Sequence, residues 1–176
     1  MHAADKTRPS AIGADFEVPI DQRYFEDYRV GTVYRYGAIT VDEAEVIAFA
    51  SKFDPQDIHV DPEGAIRGPF GGLIASGWHT AAMMMRLFAD NYLSRVASLA
   101  SPGIDELRWT RPVRPGDTLN IRVTVLEANL SRSKPDRGVV RTLIEVLNQN
   151  DELVMSCKAI NLLRRRDSAQ PRRMGV

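Results

Sequence analysis

Cysteine is nearly absent from this chain. A single cysteine, Cys157, occurs in 176 residues, so no disulfide can form within the chain. Disulfide chemistry therefore does not constrain the compartment, and a reducing cytoplasm is the expected location. Because Cys157 lies in an apolar, strand-like pattern, we expect a buried structural thiol rather than a nucleophile.

Excess charge, histidine and long apolar runs are also lacking. Basic and acidic residues both number 23, for a net charge of zero, whereas a general nucleic-acid binder is strongly basic. The three histidines, His2, His59 and His79, are too scattered for a zinc site of usual spacing, so no bound metal is expected. No segment approaches the roughly 20 apolar residues of a membrane span, and the N-terminus lacks the apolar run of a signal peptide.

The length predicts one domain with a core of useful size. Residues 1–20 are polar and aperiodic, so we expect a flexible arm or a strap on a neighbouring surface. Residues 21–164 carry the periodic apolar pattern of the domain. Residues 165–176 are rich in arginine and almost free of apolar side chains, which predicts a disordered tail. A solubilising role for this tail is favoured over a handle for anionic ligands.

An acid/base pair is suggested in the stretch F-D-P-Q-D-I-H-V-D-P, where Asp54 precedes His59 by five residues. Pro55 and Pro62 argue against one continuous helix here, so both side chains are expected on a loop that leaves a helix. Such a loop can direct two side chains at one small volume. The spacing alone fits equally well with an Asp54 that ends a helix and a His59 that packs in a turn.

Helix starts are marked by three capping signals. Thr40 and Glu43 form a capping box for a helix that runs to about residue 52. Asp61 is the expected cap of a short helix with Pro62 at its first position. Ser76 is the expected cap of a long helix that follows a glycine-dense turn. We favour this capping role for Ser76 over a nucleophile, because G-L-I-A-S-G lacks the G-x-S-x-G elbow.

The long helix, from residue 77 to about residue 95, is apolar on most faces, which predicts burial. Its three consecutive methionines are interpreted as core filler. We expect a first strand at 32–39, and from Gly103 period-two alternation predicts strands at 104–110, 119–125, 140–146 and 153–163. An antiparallel sheet wrapped around the helix is the simplest way to bury both, which gives an α+β architecture. Its free edge strands favour pairing of subunits.

Three blocks of the sequence resemble one known family. They are F-D-P-Q-D-I-H-V-D, F-G-G-L-I-A-S-G-W-H-T and L-R-W-T-R-P-V-R-P-G-D-T-L, in that order. From about residue 22 to 163 the chain resembles the MaoC-like dehydratases, also called (R)-specific enoyl-CoA hydratases. The resemblance implies the hot-dog fold and a hydro-lyase of fatty acid metabolism that acts on enoyl-CoA or 3-hydroxyacyl-CoA thioesters. It also implies a homodimer or an assembly of dimers, with no cofactor besides the CoA thioester substrate.

The resemblance also implies roles for individual residues. Asp54 and His59 are expected to hold the water and to transfer protons, and the backbone N–H of Gly77 is expected to face the thioester oxygen. Four further residues are expected against the substrate, namely Gln56, Gly72, Ser76 and Trp78. The CoA phosphates would be bound by one or more of five basic residues, and the sequence does not distinguish among them. They are Arg67, Arg108, Arg111, Arg114 and Lys134.

This chain departs from the family pattern at two places. Gln56 and Asp57 stand where the family has Asn-Pro, so an amide is kept and a charge is added. Met85 stands where the family often places a serine on the buried helix. Both departures bear on substrate choice and rate. His79 is expected to lie on the helix face near the site, with a second acid/base role as the less favoured alternative.

Two other functions compete with hydration. One is an acyl-CoA thioesterase, a second activity of hot-dog proteins, many of which place a carboxylate on the central helix. The only helix carboxylate here is Asp90, far from the Gly77 end, which weighs against this activity. The other is a non-catalytic acyl-CoA-binding protein, which the departures at Met85 and the Asn-Pro positions make credible.

Overall fold

A computed structural model describes residues 15–169 of the chain. Its main elements are, in order, β1 (Val33–Thr40), α1 (Glu43–Phe53), α2 (Asp57–Val60), α3 (Pro62–Ile66), α4 (Gly77–Asn91), β2 (Ser98–Ala100), β3 (Ile104–Trp109), β4 (Thr118–Leu130), β5 (Arg137–Leu147) and β6 (Leu153–Arg164). Short 3₁₀ helices at Phe25–Asp27 and Arg166–Ala169 complete the set. Within these described residues, no helix has both the length and the apolar content needed to cross a membrane.

The strands form one antiparallel sheet in the order β1-β4-β5-β6, with β2 and β3 both pairing on the outer side of β6. Strands β4, β5 and β6 bury alternate residues, as period-two patterns require. The sheet curls around α4, which contacts β1 and β4. The predicted α+β architecture is therefore confirmed.

Helix α4 is anchored at both ends. Ser76 caps its start by accepting a hydrogen bond from the Trp78 N–H at 3.2 Å, as predicted. At its end, the buried Arg23 donates to the Tyr92 carbonyl at 2.8 Å, and the Tyr28 hydroxyl donates to the same oxygen at 3.0 Å. A cation at a helix C-terminus also interacts favourably with the helix dipole. Hydrogen bonds therefore hold both the start and the end of α4.

One side of α4 stays open, in contrast to the predicted complete burial. Met84, Leu87 and Phe88 are buried in the core, but Trp78 is 57% exposed and Met85 is 44% exposed. The sheet covers only part of the circumference of the helix, so a helix that is apolar on most faces keeps one uncovered apolar side. The helix also ends at Asn91, not near residue 95.

The cap of α1 differs from the prediction. Thr40 is the last residue of β1 and pairs with Thr118 of β4, so it is not the helix cap. Asp42 takes that place, and its carboxylate accepts from the Glu45 N–H at 2.9 Å. The prediction for α3 is confirmed, because Asp61 accepts from the Gly64 N–H at 3.0 Å and Pro62 is the first helical residue.

Two elements were not anticipated. His59 lies in the single-turn helix α2 rather than on an open loop, because the six residues between Pro55 and Pro62 leave room for one helical turn. Strand β2 has only three residues and no alternation to reveal it. Its pairing with β6, at Ser98 opposite Leu163, follows from the path of the chain after α4.

The described parts of the terminal segments lie against the domain. Phe16 stacks on Tyr34 with ring centroids 4.2 Å apart, and the Arg23 guanidinium carbon lies 3.4 Å from the centroid of the Phe16 ring. At the other end, residues 166–169 form a 3₁₀ turn where disorder was expected, since Arg166 bonds the Asp27 carboxylate at 2.6 Å. The rest of the expected arm and tail, residues 1–14 and 170–176, lies outside the described residues.

Candidate active site

Asp54 lies at the point where α1 ends and holds two strong hydrogen bonds. As the C-terminal cap of α1 it leaves the helical conformation just before Pro55. Its Oδ2 accepts from the Ser76 hydroxyl at 2.6 Å, and its Oδ1 accepts from the Gln56 side-chain amide at 2.7 Å. These bonds, that from Ser76 first, lower the pKa of Asp54 below its ordinary value. The carboxylate is therefore kept ionised and in one orientation.

His59 is buried and turned toward this carboxylate. Its Nδ1 lies 2.8 Å from the carbonyl oxygen of Ile74, and because a carbonyl only accepts, Nδ1 carries the proton. In the neutral ring, Nε2 therefore has the free lone pair. Nε2 lies 3.5 Å from Asp54 Oδ2. The two groups predicted as an acid/base pair are thus brought together, with Nε2 and Oδ2 facing each other.

Gly77 forms the start of α4 under the ring of Trp109. The Trp109 indole N–H donates to the Gly77 carbonyl at 2.8 Å. A Cβ added at Gly77 would come within 2.5 Å of that ring, so only glycine fits here. The Gly77 N–H donates to no acceptor in the part of the chain that the structure describes, as expected for the first turn of a helix.

These three residues share one cavity of about 380 Å³. Its wall is mostly apolar and aromatic, with an ionisable pair at one side. The lining residues are Asp54, His59, Phe70, Ile74, Ala75, Gly77, Trp78, Thr80, Trp109, Thr110, Arg111, Pro112 and Val113. A largely apolar pocket with a few convergent polar groups is the usual form of a small-molecule site.

Of the four residues expected to contact the substrate, one lines the cavity and three do not. Trp78 lines the cavity. Gln56 does not line the cavity, and its side-chain amide donates a hydrogen bond to the Asp54 carboxylate. Gly72 lies in the turn before α4, beside the Arg114 guanidinium. Ser76 is fully buried, and its hydroxyl is directed at Asp54 rather than into the cavity.

Several wall residues were not anticipated as site residues. Phe70 and Trp109 supply aromatic surface, and Trp109 stood in a block that carried the family resemblance. Thr80, three residues after Gly77, also lines the cavity. Met85, where the family often has serine, is absent from the lining and half exposed. The helical period identifies Thr80, one turn after Gly77, as the residue that faces the same way.

His79 and the candidate phosphate-binding cations differ in whether they lie at the cavity. His79 stacks on Phe49 with centroids 4.7 Å apart and does not line the cavity. Burial lowers the pKa of its imidazole. Among the five candidate cations, Arg111 lines the cavity. Arg114 instead donates to the Phe70 carbonyl.

Known proteins share both the sequence and this architecture. A family model for the MaoC like domain matches residues 27–147. The MaoC-like dehydratase from Rhodospirillum rubrum has 41% sequence identity and a TM-score of 0.76, over 82% of this chain and 98% of that one. The R-hydratase PhaJ1 from Pseudomonas aeruginosa has 27% identity and a TM-score of 0.66, over 80% of this chain and 85% of that one.

A curated relative adds a named activity. The 3-hydroxyacyl-thioester dehydratase Z of Mycobacterium tuberculosis is 34% identical over 110 residues, which are 61% of this chain and 73% of the relative. The matched family model spans most of the domain, and the structural matches confirm the predicted hot-dog fold. The chain belongs to the MaoC-like dehydratase family.

Proposed function

We propose that this protein is a hydro-lyase that adds water across the 2,3 double bond of an enoyl-CoA with (R) stereochemistry, and dehydrates the 3-hydroxyacyl-CoA in reverse. The observation that carries the proposal is the placement of Asp54 Oδ2 3.5 Å from His59 Nε2 in the wall of a cavity that also contains the start of α4. The names of the dehydratase and R-hydratase relatives support the reaction class and the stereochemistry.

The pair suits the handling of one water molecule. Oδ2 and Nε2 are close enough for one water oxygen to lie within hydrogen-bonding distance of both. The water oxygen then forms the bond to Cβ while one of its protons passes to the pair. The π electrons move toward the thioester carbonyl, and Cα receives a proton from the pair. Positioned acid/base groups contribute about 10²–10⁴-fold to such a reaction.

The Gly77 amide is the proposed donor to the thioester oxygen. Negative charge grows on that oxygen as the enolate forms. Gly77, whose N–H has no acceptor among the described residues, lines the same cavity as the Asp54–His59 pair. The positive end of the α4 dipole supports this role. A single preorganised donor of this kind is worth roughly 3 kcal/mol in other enzymes. The reaction as written consumes only water and thioester, so we propose no cofactor.

The carrier of the thioester is proposed to be CoA. Arg111 lines the cavity with a side chain that is 57% exposed, and its closest carboxylate, that of Glu152, is 3.6 Å away. Such a loose surface ion pair contributes little, so Arg111 can turn to the CoA phosphates. Arg114 is engaged at the Phe70 carbonyl and is the weaker candidate.

A thioesterase activity is disfavoured by the position of the helix carboxylate. Asp90 lies in the last turns of α4 and is held at 2.6 Å by Arg86 on the exposed side. Asp54 is the one carboxylate in the cavity wall formed by the described residues. The site therefore has a carboxylate that can bind water, but among the described residues α4 contributes no carboxylate to the cavity wall, whereas one would be expected there in a thioesterase.

We also propose that two copies of the chain pair through the open side of α4 and strand β3. Trp78 and Met85 on α4 are 57% and 44% exposed, and Ile104 and Trp109 on β3 are 46% and 45% exposed. Strand β3 lies at an edge of the sheet, where unpaired backbone groups favour further pairing. A second copy would cover the apolar side that this sheet leaves open.

The test follows enoyl-thioester absorbance, with thiol release measured in parallel. Asp54→Asn and His59→Ala are expected to lose hydration by about 10²–10⁴-fold each while their circular dichroism stays native. Asp90→Asn is the matched carboxylate control and should keep the wild-type rate. Wild-type turnover in both site variants would refute the assigned roles. Thiol release without loss of the enoyl group would favour the thioesterase, and neither signal would favour a binding protein.

A further inference from the structure

Ser76 is fully buried, yet its hydroxyl is committed to a group in the active-site wall. It donates to Asp54 Oδ2 at 2.6 Å and accepts from the Trp78 N–H at 3.2 Å. Its carbonyl accepts from the Thr80 N–H at 3.0 Å and from the Thr80 hydroxyl at 3.3 Å. Ser76 is 0% exposed and does not line the cavity. It therefore cannot touch a substrate directly.

We propose that Ser76 is a positioning residue that fastens the Asp54 carboxylate to the first turn of α4, so that this carboxylate and the Gly77 amide keep one fixed separation. This inference rests on the proposed hydration activity and extends it. Asp54 follows α1, whereas Gly77 begins α4, 23 positions later. Ser76 directly precedes Gly77, and its hydroxyl group bonds the Asp54 side chain directly.

A fixed separation matters because the two groups act on opposite ends of one reacting unit. Asp54 faces the water that attacks Cβ, and the Gly77 amide faces the thioester oxygen. Displacing a reacting group by about 1 Å can cost on the order of 10²-fold in rate. A hydrogen bond to an ionised acceptor is roughly twice as strong as a neutral one, so the Ser76 bond resists such a displacement.

The same bond keeps Asp54 from closing onto His59. Ser76 and Gln56 hold the carboxylate through one oxygen each, at 2.6 and 2.7 Å. The distance from Asp54 Oδ2 to His59 Nε2 is 3.5 Å. A direct charge-assisted hydrogen bond is shorter, at about 2.7–2.9 Å. The gap leaves both atoms able to bind one water. A carboxylate released by Ser76 is free to pair directly with the imidazole whenever that ring is protonated at Nε2.

A simple helix cap is the competing explanation for Ser76. The N-cap of α1 provides a matched comparison, because Asp42 accepts from the Glu45 N–H at 2.9 Å and is not among the residues that line the cavity. Losing an N-cap side chain costs about 0.5–2 kcal/mol of stability. Asp42→Ala therefore reproduces the loss of a cap without touching the site.

The experiment compares Ser76→Ala, Ser76→Gly and Asp42→Ala in the full chain. Glycine is tolerated at N-caps at a cost of only a few tenths of a kcal/mol, so Ser76→Gly remains folded if the alanine variant does not. Both Ser76 variants are expected to lose about 10- to 100-fold in kcat, with KM within about twofold. Asp42→Ala should lower Tm but keep the wild-type kcat.

The pH profile separates positioning from capping. The Ser76 bond is the main cause of the lowered pKa of Asp54, so without it that pKa rises toward its ordinary value. The acid limb of kcat/KM therefore moves to higher pH in both Ser76 variants and stays in place in Asp42→Ala. Ser76 variants with a lower Tm but the wild-type kcat and pH profile would show that Ser76 is only a cap.

A second measurement is independent of catalysis. The Asp54 carboxyl carbon can be titrated by NMR in the wild type and in Ser76→Gly without any substrate. We expect its midpoint at higher pH in the variant. An unchanged midpoint overturns the inference about Ser76 even if hydration is confirmed. A raised midpoint in a protein that hydrates no thioester supports the Ser76–Asp54 bond while refuting the proposed function.

Discussion

Replacing Gly77 with alanine places a methyl group where the Trp109 ring already lies. The added Cβ would be 2.5 Å from one atom of the ring and 2.8 Å from two others, whereas ordinary contacts lie at 3.4–4 Å. The ring must therefore move by about 1 Å. Because the Trp109 indole N–H bonds the Gly77 carbonyl at 2.8 Å, the same movement breaks that bond.

The energetic cost is the balance of three terms. Overpacking costs about 1–3 kcal/mol, and the lost hydrogen bond costs about 0.5–1.5 kcal/mol. The better helix propensity of alanine returns up to about 1 kcal/mol. We expect a net destabilisation of about 0.5–4.5 kcal/mol, which is a fall in Tm of several degrees near the middle of that range for a chain of this size.

The effect on catalysis should be larger than the effect on stability. The new methyl group and the displaced ring both lie at the mouth of the proposed oxyanion site, where a misplacement of about 1 Å can cost on the order of 10²-fold. We therefore expect kcat for enoyl-CoA hydration to fall about 100-fold at a temperature where the variant is fully folded. Tryptophan fluorescence, which reports Trp78 and Trp109, should change as well.

Gly103→Ala is the matched control for this experiment. A Cβ at Gly103 meets no atom within 4 Å, so this variant should keep the wild-type kcat and fluorescence. A Gly77→Ala protein with wild-type kcat and unchanged fluorescence would refute the reasoning, because the ring would then have no part in shaping the site.

Two further predictions concern the thiol and the assembly. Burial raises the pKa of Cys157 to about 11, so a thiol reagent at pH 8 should find no reactive thiol in the folded protein and one per chain in denaturant; rapid labelling of the folded protein would contradict this burial. Light scattering should give twice the mass of one chain, and Met85→Glu, which charges the open side of α4, should halve it. Leu130→Glu, at a 56% exposed position away from that side, should leave the mass unchanged, and a Met85→Glu protein that keeps the double mass would exclude this interface.

Periodicity and local chemistry were enough to predict much of the fold. The long strands β4, β5 and β6 follow from alternation, and the start of α4 follows from the Ser76 cap and the glycines before it. The α1 cap failed for a reason that lies outside the local sequence. Pairing with β4 continues as far as Thr40, so the helix begins later and Asp42 is its cap.

The candidate site shows the same division. Pro55 and Pro62 argued against one continuous helix at the Asp54–His59 segment, since that constraint is local. The pairing of the two side chains was implied by the family resemblance and not by their spacing. Contacts between distant parts of the chain were not accessible. The Ser76 hydroxyl reaches back 22 positions to Asp54, and Trp109 closes over Gly77 from 32 positions away.

The sequence by itself determined the period of each long element and the place of most caps, because these depend on neighbours along the chain. Only the tertiary structure decided which side of α4 is left uncovered, which arginine lines the cavity, and that the buried Ser76 hydroxyl bonds the Asp54 carboxylate. These features depend on how a curled sheet brings together residues that are far apart in the sequence, and a local sequence pattern contains no information on such contacts.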